Sequence, residues 1–351
     1  MHAGILGRRS AAGFAAVAIA AAALVAFIPA AAAAADFYAG KTISYVVGGS
    51  PGGGHDIYAR TLARHLPRHI PGEPVIVVRN MPGAGSARAG VYLYSVAPKD
   101  GTVIAALYPG ALMGPVLDDR SKVNYDPTKF QYLASAENGA RICATFERSK
   151  AKTFDDAIQQ PVVFGASAPG GALHDYAFML KKSTGAAFRI VVGYKATRDL
   201  TLDMERGEVD GMCGWDWSTA KTQKPDWLRD KRVNLLVQVG LEPDPELTKL
   251  GVPTVWNFIK REQDRKAVEL IVTQQVFARP YVAPPETPDA QVRILRAAFE
   301  ATFKDKQFLA DAEKARLDIS PTPGAKVQAL INGIYSAPKA TVDRAKDLIK
   351  P

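Results

Sequence analysis

From residue 42 the chain alternates between short continuous apolar runs and stretches in which apolar residues recur every three or four positions. TISYVV (42–47) is a run of the first kind and predicts a buried strand; from Asp56 onward Ala59, Leu62, Ala63 and Leu66 recur at helical spacing. PVIVVRN (74–80) predicts the next strand, SARAGVYLYSVA (86–97) a helix and TVIAALY (102–108) a third strand. Strands that alternate with helices over short connections predict a parallel sheet.

The pattern then repeats. ARICATF (140–146), VVFGAS (162–167), RIVVGY (189–194) and VDGMCGW (209–215) read as strands. FDDAIQQ (154–160), ALHDYAFMLKKST (172–184) and TRDLTLDMERGE (197–208) read as the helices between them. Leu173, Tyr176, Ala177 and Leu180 give the second of these one apolar face. The expected fold class is therefore α/β, with two open sheets built one after the other. No low-complexity linker separates them, which predicts a packed boundary. REQDRKAVELIVTQQ (261–275) adds a helix, and another carries Val292, Leu295, Phe299 and Phe303 on one face. Pro284, Pro285 and Pro288 bar a helix before Asp289, which can cap it. The helices after it have no further parallel strand of their own, so the tail is expected to pack on the first domain.

The N-terminus changes the picture of where the protein works. Arg8 and Arg9, an apolar stretch from Ala15 to Ile28 and an alanine tail up to Ala35 have the form of a secretory signal peptide, with cleavage expected near Ala34 or Ala35. The apolar stretch is shorter than the ~18 residues of a membrane span. The expected product is exported and soluble, with a periplasmic location. The formal charge of +9 falls to +7 without Arg8 and Arg9, and the basic residues are scattered, so no nucleic-acid surface is expected. A mild positive field does favour anionic ligands. Two cysteines, Cys143 and Cys213, lack zinc spacing and leave two readings open: one bridge, or two buried thiols.

Candidate chemistry lies in three strand-to-helix turns rich in glycine. GGSPGGGHD (48–56) follows the first strand, NMPGAGSARAG (80–90) the second, and GASAPGGALHD (165–175) opens a helix of the second block. In open α/β sheets ligands sit outside the carboxyl ends of strands, where helix N-termini point unpaired amides. In the first turn His55 or Asp56 is expected to cap the helix, leaving the amides around Gly52 to Gly54 free for an anion. Three such turns on two sheets suit an anion caught between two lobes. Other chemistries fit poorly. The glycines at 48, 49, 52, 53 and 54 do not match a dinucleotide fingerprint, and Arg79-Asn80 stands where an acidic residue for a ribose is needed. GASAP around Ser167 is not a nucleophile elbow, and His55-Asp56 has no further metal ligand at useful spacing. His65 and His69 are read as lying on an exposed face, and no catalytic residue, metal site or cofactor is expected.

VVGGSPGGGHDIYARTLARHL, VVRNMPGAGS followed by VAPKDGTVIAAL, VVFGASAPGGALHDYAFMLKKSTG and VVGYKATRDLTLDMERGEVDGMCG together resemble the extracytoplasmic solute-binding subunits of tripartite tricarboxylate transporters, the Bug proteins. The resemblance runs from about Phe37 to Lys350. It implies a type II periplasmic-binding-protein fold, in which two α/β lobes joined by crossing strands close on a small organic carboxylate. By matching position it implies a first-lobe ligand set of Ser50, Pro51, Gly52, Gly53 and Asp56, with Gly83, Ala84 and Gly85. The implied second-lobe set is Ser167, Gly170, Gly171, Ala172 and His174, with Tyr194, Lys195 and Asp216. By analogy the chain crosses near Asn138 to Ala144 and returns near Gln274 to Ala278. The first lobe is then 36–138 with 277–351, and the second 139–276. The sequence departs from the family pattern at Gly193, Ala196 and Pro169. It also departs at Trp215 and Trp217, which either narrow the pocket or pack in the core.

The function implied is capture of a carboxylate and its delivery, by a monomer, to the membrane subunits of such a transporter. Two rivals remain: a sensor presenting the same closed form to a receptor, and an exported enzyme acting on an organic acid.

Overall fold

A computed structural model of the chain describes residues 1–2, 37–118, 123–194 and 197–351. The signal peptide expected over residues 1–35 and the candidate ligand residue Lys195 thus fall, apart from Met1 and His2, outside the described residues. Among the described residues no helix is long and apolar enough to cross a membrane.

The strands form two sheets. The first has six strands in the order β11-β4-β10-β3-β1-β2: β1 (Thr42–Val47), β2 (Val75–Asn80), β3 (Val103–Ala106), β4 (Gln131–Ser135), β10 (Pro280–Ala283) and β11 (Thr322–Pro323). The second has five in the order β7-β6-β8-β5-β9: β5 (Arg141–Phe146), β6 (Val162–Ala166), β7 (Phe188–Val192), β8 (Gly211–Asp216) and β9 (Val233–Val239). β1 pairs in parallel with β2 and β3, and β6 in parallel with β7 and β8, whereas β10 and β5 run antiparallel to both of their neighbours. This is an α/β fold of the type II periplasmic-binding-protein arrangement.

The chain leaves the first sheet after Ser135 and enters the second at Arg141; it returns to the first sheet at Pro280. The outgoing and returning segments run side by side, with Ala278 N–H donating to the Glu137 carbonyl at 3.1 Å and Gly139 N–H to that of Gln275 at 3.3 Å. One hydrophobic cluster spans both sheets, holding Val46, Ala105 and Tyr132 of the first together with Phe164 and Val237 of the second. The sheets therefore share a packed boundary. Cys143 and Cys213 face each other on β5 and β8 and are joined as a disulfide, which decides between the two readings left open by the sequence.

The helices that matter for the site are α1 (Gly54–His65), α2 (Ala87–Ser95), α3 (Pro109–Leu117) and α4 (Phe154–Gln159), followed by α5 (Ala172–Thr184) of the second sheet. Helix α1 buries Tyr58, Ala59 and Leu62 under the first sheet, as its periodicity requires. His65, read from the sequence as exposed, is only 6 % exposed. The helix Lys306–Lys314 covers it, and its Nε2 lies 2.9 Å from Asp311 Oδ2. A helix lying on another helix leaves little trace in the pattern of either one.

The tail divides. The helices Asp289–Thr302 and Gly324–Tyr335 pack on β4 of the first sheet, but Lys339–Ile349 lies against α5 and the helix Glu262–Val272. Its Ala345 and Leu348 join the cluster that holds Ala177, Leu180, Val268 and Ile271. Arg344 Nε also donates at 2.7 Å to Asp264, a fully buried carboxylate that needs the charge. This last helix therefore departs from the expectation that the whole tail packs on the first domain.

Candidate functional site

Three first-sheet loops are drawn together by one hydroxyl. Ser86 is fully buried; its Oγ donates to the Gly48 carbonyl at 3.1 Å and accepts from Tyr108 N–H at 3.1 Å. Glycine is required where these loops meet. A Cβ on Gly48 would stand 2.3 Å from Ser86 Oγ, and one on Gly49 2.5 Å from the Tyr108 hydroxyl. Ala84, Gly85 and Ser86 all adopt left-handed backbone, with φ of 45°, 59° and 76°. For Ala84 and Ser86 that conformation costs about 1–3 kcal/mol each, so the surrounding bonds must hold it in place.

At the start of α1 the amides differ from the sequence expectation. The cap residue is Gly53, with no side-chain cap, and Asp56 lies inside the first turn. Asp56 Oδ2 accepts Gly52 N–H at 2.8 Å, and the Ser50 carbonyl accepts Gly53 N–H at 3.2 Å. Those two amides are therefore occupied. Among the described residues no protein acceptor lies against the N–H groups of Gly54, His55 and Asp56. The open donors sit about half a turn further into the helix than the sequence suggested. Asp56 is 2 % exposed and also accepts from Arg60 Nε at 3.0 Å and Asn80 Nδ2 at 2.9 Å. Burial pushes its carboxyl up, but Arg60, the Gly52 amide and Asn80 outweigh burial and hold it below the ordinary carboxylate range.

The second-sheet turn repeats the device with different exposure. After β6 the chain passes Ser167, Pro169 and Gly170, the last at φ 85°, and Gly171 precedes α5. Gly170 N–H donates to Asp175 Oδ1 at 3.0 Å and Gly171 N–H to the Ala168 carbonyl at 3.1 Å. The N–H groups of Ala172 and Leu173 have no protein acceptor among the described residues. Ser167 Oγ makes a long bond of 3.3 Å to the Ala168 carbonyl. His174 is fully buried, with Nδ1 2.9 Å from Asp175 Oδ1 and its ring centroid 4.5 Å from that of Phe178.

Between the sheets lies a cavity of about 900 Å³. The first lobe contributes His55, Ala84, Gly85 and Tyr108, the second Arg141, Gly170, Gly171, Ala172 and Asp175, and the returning crossing Gln274 and Arg279. A smaller cavity of about 270 Å³ shares Arg141 and Ala172 and is lined by Ser167, Tyr194, Trp215 and Asp216. The structure thus brings Ala84, Gly85, Gly170, Gly171 and Ala172 to the large cavity, and Ser167, Tyr194 and Asp216 to the small one. Ser50, Pro51, Gly52, Gly53, Asp56, Gly83 and His174 line neither. Both tryptophans belong to a hydrophobic cluster; Trp215 also walls the small cavity, while Trp217 Nε1 is engaged by Glu246 Oε2 at 3.1 Å.

Sequence reasoning missed three charged residues at the crossings. Arg279 Nε lies 3.3 Å from Oε2 of Glu137, a carboxylate that is 1 % exposed and also accepts from Tyr58 Oη at 3.3 Å and Ser218 Oγ at 2.9 Å. Burial raises the Glu137 carboxyl, with Arg279 pulling the other way. Arg141 Nη1 donates to the Gly214 carbonyl at 3.1 Å. Burial of Asp216 is outweighed by Arg141 and Arg279, which keep its carboxyl below the ordinary range. Burial, and then Arg279, push the His55 imidazole well below its usual range, so the ring is neutral at neutral pH. The signal for the arginines was present in ARICATF and VFARPY, each a single charge inside an apolar run at a crossing. Among the described residues no group of three His, Cys, Asp or Glu side chains is placed to hold a metal.

No protein-family model matches this chain, and no curated protein does. Solved structures do. A TctC solute-binding protein from Polaromonas, solved without ligand, superposes with a TM-score of 0.67 at 16 % identity, over 88 % of this chain and 98 % of that one. A Rhodopseudomonas palustris protein with adipate gives 0.61 at 19 % identity, over 88 % and 96 %. MatC from the same organism, with bound malate, gives 0.58 at 19 % identity, over 88 % and 99 %. At these identities the likeness is one of fold, and the fold of this chain is that of the two-lobed solute-binding proteins.

Proposed function

We propose that this chain is an exported, periplasmic solute-binding protein of the tripartite tricarboxylate type. It captures a small organic carboxylate between its two lobes and presents it, as a monomer, to the membrane subunits of such a transporter. The observation that carries the reading is that helix starts from two different sheets, at His55 and at Ala172, line one cavity, and that among the described residues no protein acceptor occupies their N–H groups. Helix N-termini favour negative charge, and backbone donors suit a carboxylate. Malate and adipate, the ligands named for two proteins of the same fold, agree with that chemistry.

In this reading the lobes are 36–138 with 277–351 and 139–276, save that the last helix, Lys339–Ile349, sits on the second, and the paired crossing segments act as the hinge. Closure lets amides and hydroxyls replace water around the ligand, and exclusion of water strengthens each of those bonds. Ala84, Gly85 and Gly170 to Ala172 approach the ligand directly, while Ser167, Tyr194 and Asp216 shape the adjoining recess. Ser50 to Gly53, Asp56, Gly83 and His174 act by holding the turns. The carboxylate is bound without being transformed.

The test is a thermal-shift screen of the purified protein against mono-, di- and tricarboxylates, aromatic acids and amino acids. A ligand at 100 times its dissociation constant adds about 2.7 kcal/mol of stability, a readily measured shift. Folded protein that responds to no carboxylate overturns the reading.

A further inference from the structure

The large cavity has two chemically different ends. At the crossings stand Arg141 and Arg279, each a guanidinium with five N–H donors. Arg141 spends Nη1 on the Gly214 carbonyl, and its Nε is buried without a hydrogen-bond partner among the described residues. Arg279 spends Nη1 on the Ala278 carbonyl at 3.0 Å, and its Nε lies near Glu137 but out of line for a hydrogen bond. The counter-charges Glu137 and Asp216 do not line the large cavity, whereas both arginines do, together with the carboxylates Asp118 and Asp175. Arg279 also reaches the start of α1: its Nη2 is 3.7 Å from where a Cβ on Gly54 would stand.

The other end is mainly apolar. Helix α3 contributes Ala111, Met113 and Leu117, joined by Val123, Tyr125 and Ile349, while Asp118, Lys346 and Lys350 also line the cavity. The Tyr125 hydroxyl is spent on the Ala111 carbonyl at 2.8 Å, so the cavity meets its ring. At about 900 Å³ the space is near the top of the roughly 300–1,000 Å³ range of pockets that enclose drug-sized ligands. A four-carbon diacid would leave the apolar wall facing water.

We infer that the ligand is a carboxylate bearing an extended apolar body, aliphatic or aromatic, with its head against Arg141 and Arg279 and its body along helix α3. This rests on the carboxylate-binding function proposed above and names the substrate class of the same site. The head is gripped by side-chain charge as well as by backbone amides. The body gives affinity that rises with length.

Titration calorimetry with malate, succinate, butyrate, hexanoate, octanoate and 3-phenylpropanoate tests it. Each methylene buried from hexanoate to octanoate should tighten binding roughly three- to fourfold, the equivalent of about 0.8 kcal/mol per CH₂. Arg141→Met should weaken every acid at least tenfold, and Arg141→Lys, which keeps the charge, should weaken them less. Gly110 lines the cavity beside Ala111 and a Cβ there would meet nothing within 4 Å, so Gly110→Phe adds bulk at the start of helix α3. In that variant octanoate should bind no more tightly than butyrate. Malate or succinate binding more tightly than octanoate, or a length-dependent gain that survives Gly110→Phe, overturns the inference while leaving carboxylate capture standing. Folded protein that binds none of the six acids overturns both.

Discussion

The two glycine-rich turns that open α1 and α5 are built from the same parts and end up doing different work. In each, an aspartate in the first turn of the helix reaches back to a glycine amide, Asp56 to Gly52 at 2.8 Å and Asp175 to Gly170 at 3.0 Å. Asp56 is buried and held by Arg60 and Asn80, and Ser50 to Gly53 stay out of the cavity while His55 lines it. Asp175 lines the cavity together with Gly170, Gly171 and Ala172. The first turn is thus fixed to its own lobe, and the second is presented to the cleft. Equivalent sequence motifs give equivalent hydrogen bonds, but exposure is set by what packs around them.

The largest expected effect separates the lobes as wholes. Only the second sheet carries a disulfide, Cys143 to Cys213, which closes a loop across a sequence separation of 70. A loop of that length is worth about 4 kcal/mol in the chain-entropy view. Replacing both cysteines by alanine should lower the second lobe's unfolding free energy by about that amount. In hydrogen exchange, protection should fall in β5, β6 and β8, with β1 to β3 little changed. Equal loss of protection in both sheets would mean that the lobes unfold as one unit.

The next effect separates the two aspartates. Asp56→Ala removes a carboxylate that is 2 % exposed and accepts from Gly52 N–H, Arg60 Nε and Asn80 Nδ2, which keeps only the Gly49 carbonyl, so it should cost about 3 kcal/mol in urea unfolding. Asp175→Ala should cost about 2 kcal/mol, because the Gly170 amide it frees is open to water but the buried His174 Nδ1 also loses its partner. The pH dependence has a definite sign. Asp56 has a depressed carboxyl in the folded state, so its contribution is present above the unfolded value near pH 4 and is lost as pH falls through the folded value. The difference between wild type and Asp56→Ala should shrink steadily below about pH 4. Asp175→Asn removes a negative charge at the cavity and should tighten anion binding, the opposite of what a structural cap would do.

The order of strands and helices was legible because each element keeps one apolar period: TISYVV is continuous, and Ala59, Leu62 and Leu66 recur along α1. The glycine loops were legible as turns because Gly48 and Gly49 have no room for a side chain beside Ser86 and Tyr108. Which loop atoms remain open to the cavity was not legible. That depends on Asp56 being clamped by Arg60 and by Asn80 from another strand, a contact without a local signature. The arginines at the crossings escaped for a similar reason. A single charge in an apolar run becomes informative only once the two crossings, distant in sequence, are seen to run side by side. The final helix packed on the second lobe because Asp264 and Arg344, 80 residues apart, pair there.

The finest test compares the two serines of these turns. Ser86 Oγ is spent on two backbone groups and the residue is fully buried, so Ser86→Ala should be read in stability. Among the described residues Ser167 has only the long bond to Ala168, and it stands on the wall of the smaller cavity with Tyr194 and Asp216. Its hydroxyl is therefore available to a ligand, and little of the fold depends on it. Ser167→Ala should weaken carboxylate binding by about 1 kcal/mol, roughly fivefold in Kd, and leave the urea midpoint unchanged. Calorimetry showing unaltered affinity would remove Ser167 from the site and confine the ligand to the large cavity. An altered midpoint with unaltered affinity would make the second turn's serine a structural pin like the first, and the contrast between the turns would then rest on the aspartates alone.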